Sequence, residues 1–407
     1  MLRPRVNITA MNGGLNILPP SEFGTSAVLV AAPVAPAAGY GTAFLVKSKA
    51  QIKTAFGQAG NEAVLAALQA FFNEAPEGTK LFVLAMASTT NMETMLAEAN
   101  ASKVLTTGNV RLMAAIKFPG GSYVPDIEDG FDTDVNAAVI AAQTLADTYF
   151  QKKKPFRAIV EGFAFDGVAD TAKDYGASSY RNVAICVGNV DGSTALATML
   201  LLGRAAGSQP QQNIGRIKSG SIKIAETSVI KIGSVLVDSY TDEDLDTLWE
   251  KRYITPEKNQ TASGYVWNDD NMLTISTDDY NSLRNGRVID NAVRVAFSTY
   301  YQELKDDVDV DEETGRISGA VEKALENAVE VSIDRLLGGQ LSSKKDGTAN
   351  VECMVNPDPV QYEMLYTKNG IQNPNFNLLQ TNQIFLFVRC KPKGVLKFID
   401  VYLGFTS

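Results

Sequence analysis

Ser26-Ala27-Val28-Leu29-Val30-Ala31-Ala32-Pro33-Val34 is an almost uninterrupted apolar run near the start of the chain. The run is rich in β-forming residues and reads as a strand. The pattern repeats downstream. Phe44-Leu45-Val46 reads as a short strand, and Ser48 as the N-cap of a helix ending at Phe56-Gly57. Asn61 is the expected cap of a second helix, in which Leu65, Leu68, Phe71 and Phe72 recur at three- and four-residue spacing until Pro76-Glu77-Gly78 ends it. Residues 81–84 and 110–116 read as buried strands. Asp134 is the expected cap of a helix reaching Lys152, followed by strands at 156–160 and 183–187 and a helix over 196–206. This alternation predicts an α/β layer domain.

Residues 208–275 mix polar, Gly-rich and β-rich pieces with one helix at 242–251, and predict loops and short strands. The next segment has two clear helical stripes. Val288, Ala292, Val293, Ala296, Phe297, Tyr300 and Leu304 form the first; Ile317, Val321, Ala324, Leu325, Ala328 and Leu336 form the second. Residues 383–405 read as two strands around Lys391-Pro392-Lys393-Gly394, a hairpin with a four-residue loop. Ile384, Leu386 and Val388 on one face and Phe385 and Phe387 on the other require cover on both sides. The first 24 residues, punctuated by Gly13-Gly14 and Pro19-Pro20, read as an extended arm whose alternating Val6-Asn7-Ile8-Thr9 suits one strand.

The composition bounds the function. At about 150 residues per domain, 407 residues make two or three domains. A net formal charge of −9 argues against a nucleic-acid partner, because phosphate binding needs clustered Lys and Arg. No apolar run reaches the roughly 18 residues of a membrane span, and the N-terminus does not lead into the apolar core of a signal peptide. Cys186, Cys353 and Cys390, odd in number and far apart, read as buried thiols in a reducing compartment. The chain has no histidine, which removes Ser-His and Cys-His dyads, His-ligated metal and the commonest general base. Catalysis by carboxylate, Lys or Tyr stays open, but the balance moves toward a structural role.

Several constellations have a functional and a plain reading. Asp309, Asp311 and Glu313 alternate as in a calcium loop, but Thr314 stands where that loop needs Gly, and a solvated helix connection fits better. Gly188-Asn189-Val190-Asp191-Gly192-Ser193 lies where phosphate loops sit, yet matches neither nucleotide spacing, so a helix cap fits better. Lys152-Lys153-Lys154 suits a helix C-terminus. Glu322, Glu326 and Glu330 repeat every four residues, as a solvated face or as a rail for docking a partner. No catalytic, cofactor-binding or metal-binding residue emerges.

Four segments, in order, resemble contractile-tail sheath proteins of bacteriophages and related injection machines. They are Val46-Lys47-Ser48 through Phe56-Gly57 to the Phe71-Phe72 helix; Leu202-Gly203-Arg204-Ala205-Ala206-Gly207 running into Asn213-Ile214-Gly215-Arg216, similar to the divergent branch known as DUF2586; Leu283-Arg284-Asn285-Gly286-Arg287-Val288-Ile289-Asp290-Asn291-Ala292-Val293-Arg294 with Val310-Asp311 and Thr314-Gly315-Arg316-Ile317; and Val395 to Leu403. Residues 208–280 depart from the usual sheath pattern.

The resemblance implies a multidomain α+β and α/β fold. A sheath C-terminal domain would be built from both chain ends, 1–24 and 275–407, with 25–274 as inserted α/β domains. It implies a structural virion protein, not an enzyme, whose copies form stacked hexameric rings around an inner tail tube and contract to drive that tube through the host envelope. The implied partners are further copies of the chain, the tube protein, and baseplate and tail terminator proteins. No cofactor is implied, and the place is the virion tail, assembled in the host bacterial cytoplasm. Val6, Asn7, Ile8 and Thr9, with Val401, Tyr402 and Leu403, would exchange strands between subunits, and Glu322, Glu326 and Glu330 would face the tube. The alternatives are an α/β enzyme using Asp191 with a carboxylate or Lys pair on a small anionic substrate, or another phage structural protein of the baseplate or capsid.

Overall fold

In the computed structural model, which describes residues 22–397, the opening apolar run becomes strand β1 (Ser26–Ala32), buried at every position. Five further strands join it: β2 (Ala43–Val46), β3 (Leu81–Ala87), β4 (Leu112–Lys117), β5 (Arg157–Glu161) and β6 (Val183–Cys186). The sheet order is β2-β3-β1-β4-β5-β6, parallel throughout except for β2 against β3. Helices α1 (Lys49–Phe56), α2 (Glu62–Glu74), α3 (Met92–Leu96), α4 (Glu98–Leu105), α5 (Thr133–Gln151) and α6 (Thr194–Gly207) fill the crossovers. α2 packs on α6 and α3 on α5, which buries the sheet. The α/β layer expectation therefore holds.

The caps differ in detail. Ser48 and Ser193 cap α1 and α6 through side-chain bonds to the N–H of Gln51 and Leu196. Asn61 precedes α2, but its side chain leaves the helix and ties down the loop after β1, accepting from Val34 N and donating to Val34 O. The cap of α5 is Asp132, not Asp134, because the Asp134 carboxylate is occupied by the N–H groups of Met92 and Glu93 at the start of α3. The small residues of 202–207 let helices touch: a Cβ on Gly203 would sit 2.3 Å from the carbonyl oxygen of Phe71 in α2. Arg204, beside it, pairs with the buried Glu74 at 2.9 Å.

After α7 (Asp242–Glu250) and several short strands, the chain builds a second core. It contains α8 (Leu283–Tyr300), α9 (Gly319–Leu337), β7 (Val351–Val355), α10 (Glu363–Lys368) and β8 (Leu386–Cys390). Phe23, from the other end of the described chain, packs into this core with Val288, Val329, Ile333 and Val351. The two stripes need correction. α8 buries Val288 and Ala292, but Phe297 and Leu304 are exposed. α9 buries Val329, Ile333 and Leu337, which repeat every four residues on one face, while Ala324 and Leu336 lie off that face and meet solvent.

β8 pairs with β7, a run that sequence reading passed over, and residues 395–397 are not strand. Beyond β8, Pro392 bridges to Leu341 and Lys397 reaches Asp269. Residues 398–405 of the expected second strand lie outside the described residues. Among the described residues no helix is long and apolar enough to cross a membrane.

Candidate assembly site

β7 and β8 make a two-stranded antiparallel sheet with Val351 opposite Cys390, Cys353 opposite Val388 and Val355 opposite Leu386. Leu386, Val388 and Cys390 pack on the core with α8 and α9. On the opposite face, Phe385 and Phe387 meet the ring of Tyr366 in α10, centroids 6.1 and 5.1 Å away. Both apolar faces are thus covered, as the sequence required. Burial pushes the Cys390 thiol up to about 11, and Cys353 is raised as well, with Tyr300 Oη 3.0 Å from its sulfur. Neither thiol is activated.

The glutamates of α9 lie against this sheet. Glu330 accepts the N–H of Cys353 at 2.9 Å, and Glu326 that of Val355 at 3.0 Å. One turn further on, Asp334 accepts the N–H of Ala349 at 2.7 Å. Four helical residues advance about 6 Å and two strand residues about 6.8 Å, so Glu326 and Glu330 stay in step with Val355 and Cys353, while the step to Asp334 skips Val351, whose N–H donates to Ala349 O. The register passes from Glu326 and Val355 to Glu322 and Pro357, and proline has no N–H to offer. Burial pushes the Glu322 carboxyl up, with Arg316 pulling the other way. The regular spacing noticed in the sequence therefore has an internal use at two of its three members.

α8 joins the two cores. Asp290 receives Arg157 of β5 through two bonds of 2.7 Å, both residues being buried. Arg284 pairs with Asp270 at 2.7 Å, and Arg287 donates to Ser208 O at 3.2 Å. Arg294 donates to the carbonyls of Val110 and Pro155. Burial pushes the Arg287 guanidinium down to about 10; burial, with Arg111 beside it, pushes Arg294 down to about 9. Gly286 is required by this joint, since a Cβ there would lie 2.5 Å from the Arg157 guanidinium carbon.

Ligands of open α/β sheets bind beyond the carboxyl ends of the strands. Here that place holds a closed polar network. Lys117, at the end of β4, donates to Asp132, Asp134 and Tyr123 at 3.0–3.1 Å, using all three ammonium hydrogens. Glu161, at the end of β5, accepts Lys117 N–H at 2.7 Å and the Thr194 hydroxyl. Burial pushes its carboxyl up to about 7, against the pull of Thr194 and Lys117. In the Gly188–Ser193 loop the Ser193 hydroxyl caps α6 and Asp191 accepts from Ser228 and Val229, both bonds of 2.8 Å. Asp311 of the acidic run accepts from Glu313, Thr314 N–H and the Thr314 hydroxyl, closing its own turn. These groups meet one another.

Val6, Asn7, Ile8, Thr9, Val401, Tyr402 and Leu403, the expected exchange residues, lie outside the described residues.

A family model described as DUF2586, N-terminal domain, matches residues 3–271. The chain belongs to the DUF2586 family. The fold of this DUF2586 chain is that of contractile sheath proteins. It matches a chain of the anti-feeding prophage helical sheath in its contracted state with a TM-score of 0.61, over 99% of each chain at 14% identity. It matches a chain of the contracted sheath complex of the extracellular contractile injection system PVC with a TM-score of 0.61, over 99% of this chain and 98% of that one, at 12% identity. The sheath tail protein of Desulfitobacterium hafniense matches with a TM-score of 0.52, over 86% of this chain and 93% of that one, at 9% identity. No curated protein sequence matches the chain. At these identities the likeness is one of fold, and it bears out the resemblance read from the four sequence segments.

Proposed function

We propose that this chain is a sheath protomer of a contractile tail or injection machine. Copies would assemble as stacked hexameric rings around an inner tube and contract to drive that tube through a target envelope. The observation that carries this reading is the likeness to sheath chains along 99% of the sequence, both cores and the connections included. The self-satisfied network beyond β4 and β5 supports a structural rather than an enzymatic role.

The C-terminal sheath domain would comprise 1–24 and 275–407, with 25–274 inserted; Phe23 packed in the second core supports that division. Val6 to Thr9 and Val401 to Leu403 would pair with neighbouring subunits, since main-chain ladders keep copies linked while they move. Glu322, Glu326 and Glu330 would present charge to the tube protein. Each bond to β7 uses one carboxylate oxygen, and the second oxygen of Glu326 meets Lys323. Baseplate and terminator proteins would close the two ends of the tube, in a virion tail assembled in the host cytoplasm.

Electron microscopy of the purified chain, alone and with its tube protein, tests the reading. Hollow tubes with six-fold rings are expected; small discrete particles in both mixtures would overturn it. Charge reversal of Glu322, which touches no bond to β7, tests the tube contact: lost tube recruitment is expected, and unchanged recruitment removes the residue from that role.

A further inference from the structure

The joint between the two cores holds more guanidinium than carboxylate. Asp290 is bonded by Arg157, and Asp270 by Arg284. Arg111, Arg287 and Arg294 have neutral partners instead. Arg111 Nη1 donates to Asn291 Oδ1 at 3.1 Å, Arg287 Nη2 to Ser208 O at 3.2 Å, and Arg294 to Asn109 and to the carbonyls of Val110 and Pro155. Among the described residues none of the three forms an ion pair, and three of their buried donors, Arg111 Nε, Arg287 Nη1 and Arg294 Nε, meet no acceptor.

The three lie together. Arg287, Asn291 and Arg294 fall on one face of α8, at positions i, i+4 and i+7. Arg111, just before β4, reaches that face from the first core through Asn291. Arg294 feels the charge of Arg111, and Asp290 bears on all three from its pair with Arg157. Asp270 bears on Arg287 as well, and the exposed Glu22 on Arg111. Arg287 is buried, whereas Arg111 and Arg294 are half-buried and open the cluster to solvent. Guanidinium groups keep their charge at neutral pH, and a buried cation is costly unless an anion meets it.

We infer that this joint binds a small oxyanion of the phosphate or sulfate class, with Arg287 at the inner end and Arg111 and Arg294 on the solvent side. The inference does not depend on the sheath reading. Guanidinium N–H groups present paired donors that match two oxygens of such an anion, a match that spherical chloride does not offer. The ligand would take up the donors left over at the joint. It would also tie the cores together, since Arg111 belongs to the sheet half and Arg287 and Arg294 to α8. Only the folded chain brings these residues together, so binding must stabilise the fold.

Titration calorimetry and thermal melting of the full chain test the inference, with phosphate and sulfate each exchanged for chloride at constant ionic strength. Saturable binding of one anion per chain is expected, with a Tm that rises with its concentration. At about one hundred times Kd the folded-to-unfolded ratio should rise about 100-fold. Arg287→Met keeps an apolar stem and removes the fork; binding and the rise in Tm should both be lost. Arg111→Met and Arg294→Met, at half-buried positions, should weaken binding at least tenfold. Arg335→Met, an exposed change on α9, should bind as the natural chain does. No saturable heat with either anion, the same Tm response in chloride, or binding unchanged in Arg111→Met and Arg294→Met overturns the inference. If Arg287→Met does not fold, the natural chain and the two half-buried variants still decide. Tube formation is not read at any step, so failure here leaves the sheath reading standing.

Discussion

Arg157 and Asp290 lie 133 positions apart in sequence, yet the Nε and one Nη of the arginine each meet a separate carboxylate oxygen at 2.7 Å. The pair is buried and sits where β5 of the sheet meets α8 of the second core. A forked pair of this kind fixes direction as well as distance.

Asp290→Ala removes one member and leaves the guanidinium buried without its charge partner. The expected loss is about 3–5 kcal/mol, the cost of an unpaired buried charge. Urea unfolding monitored by fluorescence checks it. A loss under 1 kcal/mol would mean that the joint relaxes and admits water.

Gly286→Ala places a methyl group within 2.5 Å of the Arg157 guanidinium carbon, so the arginine must move. The same pair is then disturbed from the other side. Combined with Arg157→Ala, the effects are expected to be strongly non-additive, with a coupling of about 1–3 kcal/mol in a double-mutant cycle.

Gly203→Val tests the contact of α2 with α6, where a Cβ meets Phe71 O at 2.3 Å. Overpacking there is expected to cost at least about 1–3 kcal/mol and to lower Tm by several degrees. An unchanged melting curve would show that the two helices separate freely.

Glu161 and Asp270 are raised in the fold, to about 7 and about 6, burial being the first cause in each. A raised acid binds its proton more tightly in the folded chain, so it withdraws stability as pH climbs from its unfolded value to its folded one. Stability should fall between about pH 4.5 and pH 7, by about 3 kcal/mol from Glu161. Glu161→Gln should flatten that part of the curve. Asp269 acts in the opposite sense: Lys397 outweighs burial and holds it down at about 2, so its contribution is present above pH 4 and fades as pH falls toward 2. Urea midpoints at pH 2.5, 5, 6, 7 and 8 follow both effects.

If residues 1–12 serve as an exchanged arm, deleting them should leave the protomer folded. Tube formation should be lost. Tubes of ordinary length from the truncated chain would remove strand donation from the arm.

The α/β half was legible because buried parallel strands are written as apolar runs, and β1 reads that way without interruption. α3 escaped notice because five residues are too short to show a period. β7 escaped because Val351-Glu352-Cys353-Met354-Val355 carries a glutamate among its apolar residues. Caps were placed to within two residues; the error at Asp134 arose because a carboxylate three elements away was needed elsewhere. The acidic repeat of α9 was visible, but its use was not: the matching N–H groups belong to a strand that sequence reading had not placed.

α8 is one covalent rod with Leu283 in the first core and Val288 and Ala292 in the second. Turning one core against the other would wrench the rod or tear out Arg157 and Arg294. Torque applied to one half of a protomer is therefore passed on to the other with little slack. In a sheath that contracts, rearrangements between copies would fall outside these two joined cores, as in a train whose carriages stay stiff.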